Sequence, residues 1–63
     1  MKLNELRIGQ VFTFDFDLGS AWSYQKLSHD MLRCVSAPAT ETTAVGRIYS
    51  VNSISLENAS ITP

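Results

Sequence analysis

Between residues 11 and 18, apolar and polar positions alternate without a break. Phe12, Phe14, Phe16 and Leu18 fall on one side, and Val11, Thr13, Asp15 and Asp17 on the other. A period of two marks a half-buried strand. Residues 3–9 are too few for an independent helix and read as a single turn leading into that strand. Gly19-Ser20 suits a two-residue hairpin turn with glycine in the first central position, and residues 22–28 then form a second strand. His29-Asp30 makes a second tight turn before a third strand at 31–37. The polar stretch 38–43 (PATETT) is a loop, followed by a fourth strand at 44–50. Asn52-Ser53 forms a corner before a short fifth strand at 54–57, and residues 58–63 form a frayed tail. Five short strands joined by tight turns predict an all-β fold. The expected architecture is a small five-stranded antiparallel SH3-like barrel occupying the whole chain as one domain.

The turns also predict which residues face each other. The first places Phe14 opposite Gln25 and Phe12 opposite Leu27. The second places Leu27 opposite Leu32, Gln25 opposite Cys34 and Lys26 opposite Arg33. A third hairpin symmetric about Thr40 places Leu32 opposite Ile48, Cys34 opposite Gly46 and Arg33 opposite Arg47. One face then collects Phe12, Phe14, Phe16, Leu18, Leu27, Leu32, Cys34 and Ile48, and Ile54 and Leu56 close the same core. A one-residue slip would turn a whole strand inside out, so the shared apolar face supports these registers.

On the opposite face Lys26, Arg33 and Arg47 form one row beside Thr13. Trp22, Tyr24, Val35, Val45, Met31 and Tyr49 surround them. Cations side by side in a sheet repel, and an outer face this aromatic is unusual for a monomer. Two readings stay open and can coexist. In one, the face is an oligomer interface whose cations are neutralised by Asp15 and Asp17. In the other, it binds an anionic planar ligand, with Lys26, Arg33 and Arg47 on phosphates and Trp22, Tyr24 and Tyr49 stacked on bases.

Length sharpens the first reading. A core built from 63 residues rarely supplies more than about 3–5 kcal/mol, so such chains lean on disulfides, metals or partners. The lone Cys34 excludes an internal disulfide, and one cysteine with one histidine, His29, does not make a structural zinc site. A homo-oligomer is the remaining support. A net charge of −1 argues against salt-driven nucleic-acid binding. No signal peptide or membrane span is visible, which with a reduced thiol points to the cytoplasm.

Catalytic chemistry has little to stand on. Asp15 and Asp17 project side by side on one strand, but a convex sheet face offers no cleft for a sugar. Cys34 points into the expected core while His29 sits at a turn tip, so they do not form a nucleophile–base pair. Gly9, Gly19 and Gly46 form no phosphate loop, and Gly46 reads as a bend or close backbone contact. No enzyme activity and no cofactor are expected.

Three stretches carry a resemblance: Leu6-x-Ile8-Gly9-x-x-Phe12, Tyr24-x-Lys26-x-Ser28 and the late Val51. They resemble small single-domain proteins encoded by bacteriophages, some of which are SH3-like barrels. Residues 37–50 lie outside the likeness. Proteins of that kind include nucleotide sponges of the anti-CBASS type, which assemble as oligomers and sequester cyclic nucleotide signals of bacterial immunity. The resemblance implies non-catalytic capture of a small anionic nucleotide in the cytoplasm of an infected host. The alternative is an anti-CRISPR-like inhibitor that docks on a host protein.

Overall fold

The computed structural model describes residues 1–17, 19, 21–51 and 57–63. Five antiparallel strands form one sheet: β1 (Val11–Phe14), β2 (Ser23–Ser28), β3 (Met31–Ser36), β4 (Ile48–Ser50) and β5 (Ile61–Thr62). Their spatial order is β4-β3-β2-β1-β5. Among the described residues β4 and β5 do not pair, so the sheet is open, and the expected barrel is corrected to an open antiparallel sheet.

The core lies on one side of this sheet. Phe12 and Phe14 of β1 and Leu32 of β3 are buried there under Leu3, Leu6, Val51 and Ile61. Leu3 and Leu6 come from a short 3₁₀ turn (Leu3–Glu5) and the residue that ends it. Cys34 is completely buried on the same side, as expected. Two type II turns set the strand entries. In the turn over residues 7–10, Gln10 N–H donates to Arg7 C=O, and Gly9 takes φ +92°. In that over residues 44–47, Arg47 N–H donates to Ala44 C=O and Gly46 takes φ +93°. Position i+2 of such a turn demands positive φ, which is why glycine stands at both. Gly46 is therefore the bend anticipated, and it delays the fourth strand to Ile48. The loop before it, Ala39–Ala44, coils into 3₁₀ turns broken at Glu41 and buries Ala44.

The registers differ from those predicted, and the differences are systematic. Phe12 faces Tyr24 rather than Leu27. Lys26 faces Leu32, Gln25 faces Arg33 and Tyr24 faces Cys34. Tyr49, not Ile48, faces Leu32. The His29-Asp30 turn is where the sequence placed it, since Ser28 pairs with Met31, but a bulge at Leu27 adds one residue to β2 beyond the turn. One extra residue reverses the side chains of everything that follows it in the ladder. The first connection is longer than two residues, because β1 ends at Phe14, where Asp17 N–H donates back to its carbonyl. β1 and β3 thus face as predicted, while β2 and β4 are turned over. Tyr24, Lys26 and Tyr49 move to the core side, and Gln25 and Ile48 move out.

The expected tail is also corrected. Ile61–Thr62 forms an edge strand on β1, with Phe14 opposite Ile61 and Thr13 opposite Thr62. Ile61 N–H donates to Met1 C=O, and Asp15 N–H donates to Ser60 C=O. Ile61 is 2% exposed because it roofs the Phe14 end of the core. Leu18, the Gly19-Ser20 turn residue Ser20, the Asn52-Ser53 corner, and Ile54 and Leu56 of the anticipated fifth strand lie outside the described residues. Ile61→Ala is expected to remove about 2–5 kcal/mol, comparable to the stability of a domain this small. Loss of the cooperative thermal transition checks it, since a frayed end would leave the melt unchanged.

Candidate functional site

Turning β2 over has a direct consequence for Lys26. Its Cβ enters the core side, where the Leu3–Glu5 turn presents backbone carbonyls that the sheet does not satisfy. The side chain is only 5% exposed, and its ammonium donates to Leu3 C=O and Leu6 C=O, both at 2.8 Å. A buried ammonium is tolerable only with such acceptors, and the four-carbon stem meanwhile packs as apolar surface. Lys26 therefore clamps the N-terminal turn onto the sheet.

The row of three cations does not form. Arg33 is exposed on the outward face, between Gln25 and Ile48. Arg47 is exposed just before β4, where its carbonyl accepts the Cys34 N–H. Lys26 lies on the other side of the sheet. No shared phosphate clamp of Lys26, Arg33 and Arg47 exists in this arrangement.

The aromatic half of the predicted site behaves differently. Trp22, Tyr24 and Tyr49 line one open recess of about 470 Å³ together with Phe14, Phe16 and Asp17. Five of the chain's six aromatic side chains thus converge there. The sixth, Phe12, packs behind them, 5.3 Å from Phe14 and 6.0 Å from Tyr24 between ring centroids. Phe16 stacks on Phe14 at 4.9 Å, and Tyr24 meets Phe14 edge-on at 5.4 Å and Tyr49 at 6.2 Å. Such edge and stacked contacts favour defined ring orientations beyond simple burial. β1, β2 and β4 each supply part of the wall, and the β1–β2 connection supplies Phe16, Asp17 and Trp22. That connection is pinned by Trp22 N–H donating to Asp17 Oδ2 at 3.0 Å.

Phe14, Phe16 and Asp17 were not anticipated as site residues. The alternation up to residue 18 assigned the phenylalanines to the core and Asp17 to the outer face. The signal that could have revealed them is the crowding of Phe14, Phe16 and Trp22 around a polar connection, which a two-residue hairpin could not accommodate. Phe16 is in fact 66% exposed.

Burial raises the Tyr24 phenol above its ordinary 10.0, with Cys34, Tyr49 and Asp17 adding in the same direction. The folded state then holds this proton to higher pH than the unfolded chain does. Its contribution to stability is complete below pH 10.0 and is lost as pH rises through the raised value. A tyrosinate titration followed by absorbance is expected to show a late step that Tyr24→Phe removes. An unchanged titration curve would contradict the packing described here.

Other candidate chemistry stays apart. His29 is exposed in the β2–β3 turn while Cys34 is buried, with its thiol donating to Ser36 C=O at 3.4 Å. Asp15 Oδ1 accepts the Thr62 hydroxyl at 2.6 Å and does not line the recess. Among the described residues no three His, Cys, Asp or Glu side chains gather in a group able to hold a metal ion. No described helix is long and apolar enough to cross a membrane.

No family model matches the chain, and neither does a curated protein or a solved structure.

Proposed function

We propose that the protein is a non-catalytic binding module that docks on a target protein through the aromatic recess. The observation that carries this reading is the convergence of Phe14, Phe16, Trp22, Tyr24 and Tyr49 on one open surface, with Phe16 largely exposed. Rigid aromatic clusters of this kind dominate binding energy at protein interfaces, where tryptophan and tyrosine are enriched. The likeness to small bacteriophage proteins supplies a setting: an inhibitor of a host defence complex, acting in the cytoplasm of an infected bacterium.

Capture of a small anionic, cyclic nucleotide is the second reading. It is favoured by the grouping of Trp22, Tyr24 and Tyr49, three surfaces on which a base could stack. Against it stand the internal use of Lys26 and the absence of Arg33 and Arg47 from the recess lining. Self-association rests on a separate observation. Met31 and Ile48 are exposed beside Arg33 on the outward face, and Val11 is exposed at the far end of the same row beyond Gln25, a partly apolar surface that a second copy could cover.

Native mass spectrometry of the protein recovered from infected bacterial cells separates the three. A one-to-one complex with a host protein supports docking. A retained small anion with no protein partner would overturn docking in favour of nucleotide capture. Self-association appears as multiples of the chain mass, and Ile48→Glu is expected to reduce these to monomer.

A further inference from the structure

We infer that the recess accepts a cationic side chain, lysine or arginine, projected by the partner protein. This rests on the docking reading above and names the chemistry the docked segment must bring. Aromatic rings carry negative potential on their faces, and a cation within about 6 Å of a ring centre is attracted by it. Here rings from Phe14, Phe16, Trp22, Tyr24 and Tyr49 line a single space, and the one ionisable carboxylate among them is Asp17.

Asp17 is partly buried. One of its oxygens accepts the backbone N–H of Trp22, and among the described residues no cation forms an ion pair with it. A carboxylate drawn into an aromatic wall loses hydration, and an incoming cation restores what it lost. The same carboxylate repels a phosphate, and Lys26, the member of the expected basic row that turns to this side of the sheet, is occupied by two backbone carbonyls. Volume agrees as well: about 470 Å³ holds a long side chain and the flanking backbone.

Trp22 is the chain's only tryptophan, so its indole N–H reports on this site alone in a proton–nitrogen NMR spectrum. The probes are three capped tripeptides, Gly-Lys-Gly, Gly-Arg-Gly and Gly-norleucine-Gly, with adenosine monophosphate as the anionic arm. Norleucine keeps the lysine stem and lacks only the ammonium. Lysine or arginine peptide is expected to move the indole resonance at millimolar concentration and to bind at least about five-fold more tightly than the norleucine peptide. Asp17→Asn is expected to erase most of that difference, and an unchanged amide spectrum elsewhere shows that the variant is folded. Should Asp17→Asn disturb the fold, salt decides instead, because a cation in this site weakens as ionic strength rises and norleucine does not.

Equal binding of norleucine, preferential binding of adenosine monophosphate, or no shift with either cationic peptide overturns the inference. Those results leave docking itself standing if substitutions at Phe16 still abolish capture of the partner protein. Capture that ignores the recess ends both.

Discussion

Lys26→Met lowers stability by about 2 kcal/mol, while Arg33→Met and Arg47→Met change it by less than about 0.5 kcal/mol. The asymmetry follows from what each side chain does. Methionine keeps the length of the lysine stem, so packing under the N-terminal turn survives. What disappears is the ammonium that donates to Leu3 and Leu6 carbonyls. The Leu3 carbonyl retains the Leu6 N–H at 3.1 Å, so the Leu6 carbonyl bears most of the loss. Relief of the buried charge offsets part of it. For a domain of this size the thermal midpoint then falls by roughly 8–16 °C. Lys26→Ala goes further, because the emptied stem leaves a cavity beside Leu32. Were the three cations a solvent-facing row, all three methionine variants would melt alike. Denaturation followed by circular dichroism decides between these outcomes.

Phe16→Ala has the opposite profile. Phe16 is exposed, so its removal costs the fold only its stacking on Phe14, about 1 kcal/mol or less. Binding to the target is expected to weaken by at least roughly 2 kcal/mol, about thirty-fold in Kd, as for a central aromatic anchor. Ile8→Ala is the matched control. Ile8 is still more exposed, at 69%, but lies away from the recess, and its loss is expected to leave affinity unchanged. Isothermal titration of both variants against the partner measures this. Equal affinities for the two would remove the recess from the interface.

The fold class was legible because residues 11–18 alternate without a break, and because the His29-Asp30 turn falls where the polar pair sits. Faces were not legible on β2 and β4. Leu27 looks like the natural core residue of its strand and Lys26 like its solvent-facing neighbour. Hydrophobicity alone cannot see that a bulge at Leu27 reverses them, nor that the carbonyls of residues 3 and 6, distant in sequence, would await a lysine. Likewise Ile48 and Tyr49 are both acceptable inward residues, and the type II turn at Gly46 selects the second. The aromatic members of the candidate site survived this because Tyr24 and Tyr49 turned over together and met Trp22 on the new side. Lys26 left the site for the same reason. Ile61 was missed because two residues of strand at a chain end carry no periodic signal; only the pairing with Phe14 reveals them.

All of this depends on β2 presenting Tyr24 and Lys26, not Gln25 and Leu27, to the core. Nuclear Overhauser contacts in the isotope-labelled protein test it directly. Ring protons of Tyr24 should contact those of Phe12, Phe14 and Tyr49, and the Lys26 side chain should contact Leu32 and Leu3. A spectrum in which Leu27 contacts Phe12 and Leu32 while the Lys26 side chain contacts Arg33 would contradict it, and would return the basic side chains to a common outward row.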